Sequence, residues 1–588
     1  MKPREVILGI GGFTTEASVC LVVDGDVRAA AEEERFTRIK HHGGWPKNAL
    51  EWIFERNGVT PTEVTHISFS YSPWLRLSRR IPYRLVRLPL RPAITSLIIL
   101  NELRSVAEFM ARLRRLRKQC GAELTYIRHH LAHAASAFYS SPFDEAAFYT
   151  VDQRGEWDTT LWGRCVDRSL DVLGNTTYPD SLGIFYAGVT RHLGFGSNDE
   201  YKVMGLASYG TPRHADELRK VIRPLKDARF KLDTRYLAYH HTRGILGGAF
   251  FTPKFDETFG PPRGEGEPLG EHHMDLAASA QKVFEECVFH QLRAVHARIR
   301  SKNLCISGGC GLNGVMTGNV YRETPFEHVF LPSVSGDNGL SLGGALYVRH
   351  QLLGRARNGP LLRADLGTEY DDDEIGRMLE LFKLEYRRYD DIIGPTVELL
   401  AAGKIVGWFQ GRMEFGARAL GNRSILANPT LATMKDDINK YVKFREEFRP
   451  FAPSVLAEAA SRYFDIHDPI PFMTVVCGVN EEGIRRLPAT THVDKTARVQ
   501  TVDRVHSPMY WRLIRALGDK TGVPVVLNTS FNVMGEPLVE HPRQAVRCYF
   551  STGMDALALG RYLLTKPSVG EVPCAARQGN DIGVGEET

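Results

Sequence analysis

The sequence predicts an α/β protein of at least two domains, with an internally duplicated N-terminal half. Three observations lead there. At 588 residues the chain exceeds what one hydrophobic core organises. A strand–turn–strand–turn–strand phrase at 5–31 recurs at 146–173. The apolar strand in L-C-I-S-G-G-C-G-L-N-G (304–314) ends in glycines that open a helix, and S-G-D-N-G-L-S-L-G-G-A (335–345) repeats the theme.

In the first phrase V-I-L-G-I runs into a Gly-rich turn, then S-V-C-L-V-V, the turn Asp24-Gly25 and V-R-A-A-A. In the second, A-A-F-Y-T-V-D leads into Q-R-G-E-W, T-T-L-W-G-R-C-V, the break at Asp167-Arg168 and L-D-V-L. Paired turns of such a duplication face each other across a cleft and can hold phosphate and metal. The backbone N–H groups that open the helix after 304–314 suit a phosphate, although a plain tight turn explains the glycines equally. Residues 1–352 form the expected first domain, 353–368 a linker, 369–565 a second globular domain and 566–588 a disordered tail.

Composition narrows the class. Hydrophobic residues make up 43% and charged ones 24%, as in ordinary soluble globular proteins. Nine cysteines without a C-x-x-C pair argue for a reducing cytoplasm and against a disulfide framework or cysteine-ligated zinc. The opening M-K-P-R-E-V-I-L-G-I-G-G has no apolar h-region, so no secretion signal is expected. No apolar run approaches the roughly 18 residues of a membrane span. A net charge of +5 is too modest to imply a nucleic-acid partner. Between Arg76 and Lys118, however, twelve Arg or Lys face two Glu, a local +10 that leaves the remainder at −5. Two amphipathic helices with solvated basic faces explain this stretch; attraction to an anionic ligand or a membrane surface is the alternative.

R-H-H-L-A-H-A-A-S-A-F begins at Arg128. On a helix His129 and His133 project from one face, close enough to share an ion, whereas His130 points elsewhere, either supporting that site or simply packed. By itself H-x-x-x-H also describes a structural pair. Asp152, placed after the apolar F-Y-T-V, needs a partner if buried, and Asp337 in a Gly-flanked turn could complete the set. Two imidazoles and two carboxylates without a thiolate suit Fe(II), Mn or Zn.

The motifs H-H-L-A-H-A-A-S-A-F, T-V-D-x-x-G-E-W, E-Y-K-V-M-G-L-A, G-R-M-E-F-G-x-R-A-L-G-N-R-S-I and L-N-T-S-F-N resemble those of the carbamoyltransferases of the NodU/CmcH/TobZ type, which decorate nodulation factors and antibiotics. The similarity runs over 5–565. It implies an N-terminal Kae1-like domain of the actin/sugar-kinase fold with iron at the site above, and a C-terminal YrdC-like α/β domain. It also implies a two-step reaction. Carbamoyl phosphate and ATP give carbamoyladenylate in the second domain, and the carbamoyl group then passes to a hydroxyl or amine of a small-molecule acceptor beside the metal. A homodimer is one option for the assembly.

The second domain suits anionic chemistry. Q-G-R-M-E-F-G-A-R-A-L-G-N-R-S sets Arg412, Arg418 and Arg423 among glycines, and guanidinium forks match phosphate. Lys443, Arg449 and Arg498 add charge. Asn528, Ser530 and Asn532 end an apolar strand and could hydrogen-bond an amide-like carbamoyl edge. Surface salt bridges are the competing explanation for each basic residue. By the resemblance, Arg418, Lys443, Arg449, Arg498, Asn528 and Ser530 match positions that bind carbamoyl phosphate, ATP or the adenylate. Gly183, Gly309 and Asn313 match positions around the nucleotide, and Lys40 adds positive charge near its phosphates.

One departure stands out. Members of the family usually carry His-Asp-Ala-Ser in the first turn, where the His is thought to act as general base. Here Thr15 and Glu16 occupy those places, and a threonine hydroxyl does not take a proton near neutral pH. Glu16 or His42 could serve as base, the acceptor could be an amine, or the transfer step could be altered or lost. An intact transferase with a changed acceptor is the favoured reading, and a nucleotide-binding or adenylate-forming homologue is the alternative. A tRNA threonylcarbamoyl role uses separate chains, and a sugar kinase leaves 370–565 unexplained.

Overall fold

The computed structural model describes residues 4–75, 92–239 and 250–566. All of the expected tail at 566–588 except residue 566, and the start of the basic stretch, 76–91, lie outside the described residues. The rest of that stretch forms one long helix, Pro92–Cys120.

The strand phrases become two sheets of identical plan. β1 (Val6–Gly11), β2 (Ser18–Val23), β3 (Asp26–Glu32), β4 (His66–Phe69) and β5 (Glu123–Tyr126) lie in the order β3-β2-β1-β4-β5. β1 is antiparallel to β2 and parallel to β4. β6 (Glu145–Gly155), β7 (Asp158–Val166) and β8 (Ser169–Thr177) repeat the hairpins, and the strands Asn303–Ser307 and His328–Phe330 follow β6 outward. Again the first strand is antiparallel to the second and parallel to the returning one. β1 and β2 are buried along their whole length, which is why they read as unbroken apolar runs. Asp24 and Gly25 both take positive φ, 50° and 97°, the geometry of a tight hairpin turn.

Helices His129–Ser140 and Leu340–Tyr347 lie between the sheets. Their contact is backbone to backbone: a Cβ on Gly343 would stand 1.8 Å from the Ala132 carbonyl oxygen, and one on Gly9 2.0 Å from that of Ser341. Glycine is required at both crossings. The close approach brings the start of the first helix beside the turn that opens the second.

The C-terminal half is a nine-stranded mixed sheet. Strand Arg423–Ala427 pairs with Val525–Ser530, which pairs with Ala452–Leu456, which runs parallel to Thr496–Val502. Helices Ile393–Ala401 and Pro508–Thr521 cover one face, and Asp372–Leu381 and Pro542–Phe550 the other. The stretch 353–368 spans both halves: Leu361 N donates to the Ser140 carbonyl (3.0 Å) of the first, and Asp365 bridges to Glu414 of the second. Buried Glu32 joins the halves: its carboxylate accepts from Gly416 N (2.9 Å), Arg35 (3.1 Å) and the Asn338 amide (3.1 Å). Among the described residues no helix is long and apolar enough to cross a membrane.

Candidate active site

His129 and His133, one helical turn apart, bring their Nε2 atoms within 3.1 Å. Asp152 reaches them from the end of β6, where the pairing with β7 slips between Val151 and Gly155 and releases the chain from the ladder. Asp337 opens the turn before Leu340–Tyr347. The Asp152 carboxylate lies 3.6 Å from His129 and 3.2 Å from His133, and that of Asp337 3.4 and 3.5 Å from the same nitrogens. Bonds of ~2.1 Å to one ion give ligand–ligand edges of roughly 3.0–3.4 Å, so the four atoms fit a common centre. The sequence-predicted set converges.

The electrostatics agree. Burial opposes charge on His129, but the Asp337 and Asp152 carboxylates overcome it and raise its pKa to about 9. Burial likewise disfavours the Asp152 anion, yet the two imidazoles hold it well below the usual carboxylate range. Such a set holds positive charge, whether as protons or as a divalent ion. Glu156 accepts the His129 backbone N–H, and Ser307 Oγ sits 3.4 Å from His133 Nδ1, the outer contacts that orient metal ligands. His130 is the packed histidine: it bonds Thr150 Oγ1 (2.8 Å) and the Asp158 carbonyl (3.1 Å), and burial lowers its pKa to about 3.

This cluster opens into a cavity of about 1530 Å³ whose walls come from both halves of the chain. Thr15, Glu16, Lys40, Gly183, Gly309, Asn313, Arg418, Lys443, Arg449, Ser530 and Asn532 line it together with His129, Asp152 and Asp337. Arg418 and Arg498 have no hydrogen-bond or ion-pair partner among the described residues, and Arg498 Nε is buried without one. Burial lowers the pKa of Arg418 to about 10; for Arg498, burial and then Arg418, Arg445 and Arg449 push it far down. Both side chains are reached by solvent only in part. Lys443 is buried, its pKa also depressed by burial, and it donates to Ser530 Oγ (3.3 Å) and Asn532 Oδ1 (2.9 Å). Arg449 stacks over Tyr201 at 4.7 Å, and Lys40 approaches the same ring at 5.9 Å. Among the described residues only Arg449 of this group has an acidic partner, Glu446 at 3.5 Å, so the cluster carries an excess of positive charge that suits an anion.

Some expected residues do other work. Arg412 and Arg423 are not phosphate forks. Arg412 donates to the carbonyls of Leu366 and Gly367; Arg423, fully buried on Phe409, donates to those of Gln410 and Thr368. Asn528 lies inside the sheet wall, its amide donating to Ala419 O, Ser454 Oγ and Gln500 Oε1. At the 304–314 turn the Gly309 N–H goes to Asp152 Oδ2 (3.2 Å), and Asn313 caps its own helix through Met316 N. The N–H groups expected to cradle a phosphate are therefore partly committed. Arg445, which stands between Lys443 and Arg449 in K-F-R-E-E-F-R-P, and His41, for which no local signal exists, are cavity residues that sequence reasoning misses.

Gly183 has a specific steric reason. A Cβ there would sit 2.6 Å from Gln153 N and 2.8 Å from the Asp152 carbonyl carbon, so Gly183→Ala must displace the end of β6. We expect it to weaken metal binding by roughly 10–100-fold, the range for disturbed outer support, as read by metal titration. An unchanged affinity would show that Asp152 tolerates the shift.

Comparison with known proteins agrees with this geometry. The carbamoyltransferase N-terminus family matches residues 6–346 and the carbamoyltransferase C-terminus family residues 397–566. Nodulation protein NolNO of Sinorhizobium fredii is 36% identical over 94% of this chain and 79% of its own length. A 3'-hydroxymethylcephem-O-carbamoyltransferase of Amycolatopsis lactamdurans is 31% identical over 62% of this chain and 64% of its own. Among solved structures, HypF of T. kodakarensis aligns at 15% identity and a TM-score of 0.31 over 60% of this chain and 48% of its own, a likeness too slight to bear on the fold. With both halves matched in order around one shared cavity, the chain belongs to the carbamoyltransferase family of the NodU and CmcH type and is a transferase enzyme.

Proposed function

We propose that this enzyme makes carbamoyladenylate from carbamoyl phosphate and ATP at the C-terminal cations and transfers the carbamoyl group to a small-molecule acceptor beside the His129–His133–Asp152–Asp337 cluster. The observation that carries it is one cavity shared by a cationic cluster with few counter-charges and a candidate metal-ligand set. On this reading the duplicated sheets are the actin/sugar-kinase-like, Kae1-like unit and the nine-stranded half is the YrdC-like unit, which their identical strand orders and mixed sheet support.

Carbamate is a poor electrophile because its charge and its nitrogen lone pair both feed the carbonyl. Water hydrolyses carbamoyl phosphate to carbamate and inorganic phosphate; a carbamate oxygen then attacks the α-phosphorus of ATP, and pyrophosphate leaves with the electron pair. Arg418, Arg445, Arg449, Arg498 and Lys443 stabilise the charge that builds on the phosphates, in surroundings where water screens it little. Ser530 and Asn532, held by Lys443, offer hydrogen bonds to the carbamoyl amide. A divalent ion, Fe(II), Mn or Zn, held by the four ligands would act as a Lewis acid toward the carbonyl. Phe13 packs against Tyr71 and Phe109 at 5.3 and 5.0 Å, with Trp45 5.3 Å from Phe109. This aromatic wall supports an acceptor with a ring or hydrocarbon face. Eight cysteines, all unpaired, stand among the described residues, in keeping with a reducing cytoplasm.

The test is to incubate the purified chain with ATP and carbamoyl phosphate. Pyrophosphate and AMP should appear only when both substrates are present. Cleavage of ATP to ADP, or no cleavage, would overturn the reading.

A further inference from the structure

Glu16 and His41 face each other across the wall of the cavity. His41 Nδ1 lies 3.1 Å from Glu16 Oε1. Both residues sit in the left-handed region, at φ 52° and 56°, a conformation that histidine tolerates but that is uncommon for glutamate and persists where surroundings enforce it. The enforcement is visible. Ala17 N donates to the His42 carbonyl (2.7 Å) and Gly44 N to that of Phe13 (3.0 Å), sewing the first turn to the 41–44 loop. His41 N donates to Glu34 Oε2 at 2.6 Å. On its other side Glu16 Oε2 accepts the N–H of Asn338 (3.3 Å), the residue after Asp337. One carboxylate thus links an imidazole to the turn that carries a metal ligand. The His41 side chain is 28% exposed, and its Nε2 has no hydrogen-bond partner among the described residues. His42, the sequence-based candidate, has only the Thr37 hydroxyl at its Nδ1 (2.9 Å), a weaker support for an imidazolium.

We propose that His41, oriented by Glu16, is the general base of the transfer step; this rests on the two-step reading above. The neutral imidazole donates Nδ1–H to Glu16 and presents its Nε2 lone pair to the cavity. The acceptor O–H gives its proton to His41 Nε2 as its oxygen bonds to the carbamoyl carbon. The bond from that carbon to the AMP phosphate oxygen breaks, and AMP leaves with the electron pair. Glu16 stabilises the imidazolium and keeps the tautomer, and the proton passes from His41 to solvent. His41 is the catalytic residue in this scheme and Glu16 a positioning residue.

The experiment follows AMP release from carbamoyladenylate formed in situ by the full-length, metal-loaded chain, with water as the attacking hydroxyl or with added hydroxylamine, which needs little base assistance. In His41→Ala, pyrophosphate formation should remain near wild type. AMP release to water should fall by roughly 10²–10⁴-fold, while release to hydroxylamine stays within a few-fold. Added imidazole should restore part of the water reaction. His41→Asn, which retains a side-chain donor without a base, should behave like His41→Ala and covers poor folding of the latter. Glu16→Gln should slow the water reaction by at least tenfold in the wild-type background and scarcely further in His41→Ala, because the two act as one unit. Equal slowing with both nucleophiles, or no slowing with water, overturns the assignment. Absence of pyrophosphate in the wild type overturns the two-step reading, and this inference with it.

Discussion

Asp337→Ala is expected to remove binding of the proposed divalent ion and to abolish carbamoyl transfer while leaving pyrophosphate formation intact. The substitution removes one of four ligands and half of the negative charge at the cluster. Losing an outer partner costs roughly 10–100-fold in metal affinity, and losing a ligand itself should cost more. The remaining Asp152 must then counter two imidazoles, 3.6 and 3.2 Å away. The anion site draws its charge from other residues, so the first half-reaction should persist. Equilibrium metal content after dialysis measures the first effect, and AMP release the second. Retained metal in the variant would mean that Asp337 is not a ligand. The pH dependence has a definite sign. With the His129 pKa raised to about 9, a proton competes with the ion near neutrality, so wild-type metal affinity should rise as pH rises toward that value.

Arg498→Met should separate function from stability. The Arg498 side chain is only partly reached by solvent and its Nε lacks a partner, with Arg418, Arg445 and Arg449 as its electrostatic neighbours. Holding a partly desolvated cation beside like charges costs free energy, which an apolar side chain of similar length removes. The variant should therefore melt at a higher temperature than wild type without ligand. Its pyrophosphate formation should fall by roughly 10²–10³-fold, as when one donor to a developing charge is removed. Saturating ATP should raise the melting temperature of wild type more than that of the variant, because ligand binding stabilises in proportion to affinity. Lower ligand-free stability together with full activity would place Arg498 in an ordinary structural role.

The two effects show which parts of the site were legible beforehand. The convergence of the candidate metal set was, because its clues are local: two histidines at helical spacing, an acid after an apolar strand and another in a glycine turn. The duplicated strand order followed from two short alternating phrases, each complete within about thirty residues. The cations were less legible. Arg412, Arg418 and Arg423 share one glycine-rich loop, yet only Arg418 faces the cavity, since carbonyls of 366–368 and 410 take up the others. Asn528 and Ser530 stand two apart on one strand, and the first is enclosed by Ser454 and Gln500 from neighbouring strands.

By itself the sequence determined the α/β class, the repeated hairpins, the four side chains that converge at one point and the family, because residue type and short spacing already carry those properties. Only the tertiary structure decided which basic groups are free for a ligand, and that His41 rather than His42 gains a carboxylate. The reason is physical: a side chain is available for chemistry when no partner satisfies it, and its partners come from segments that meet only when the chain is folded.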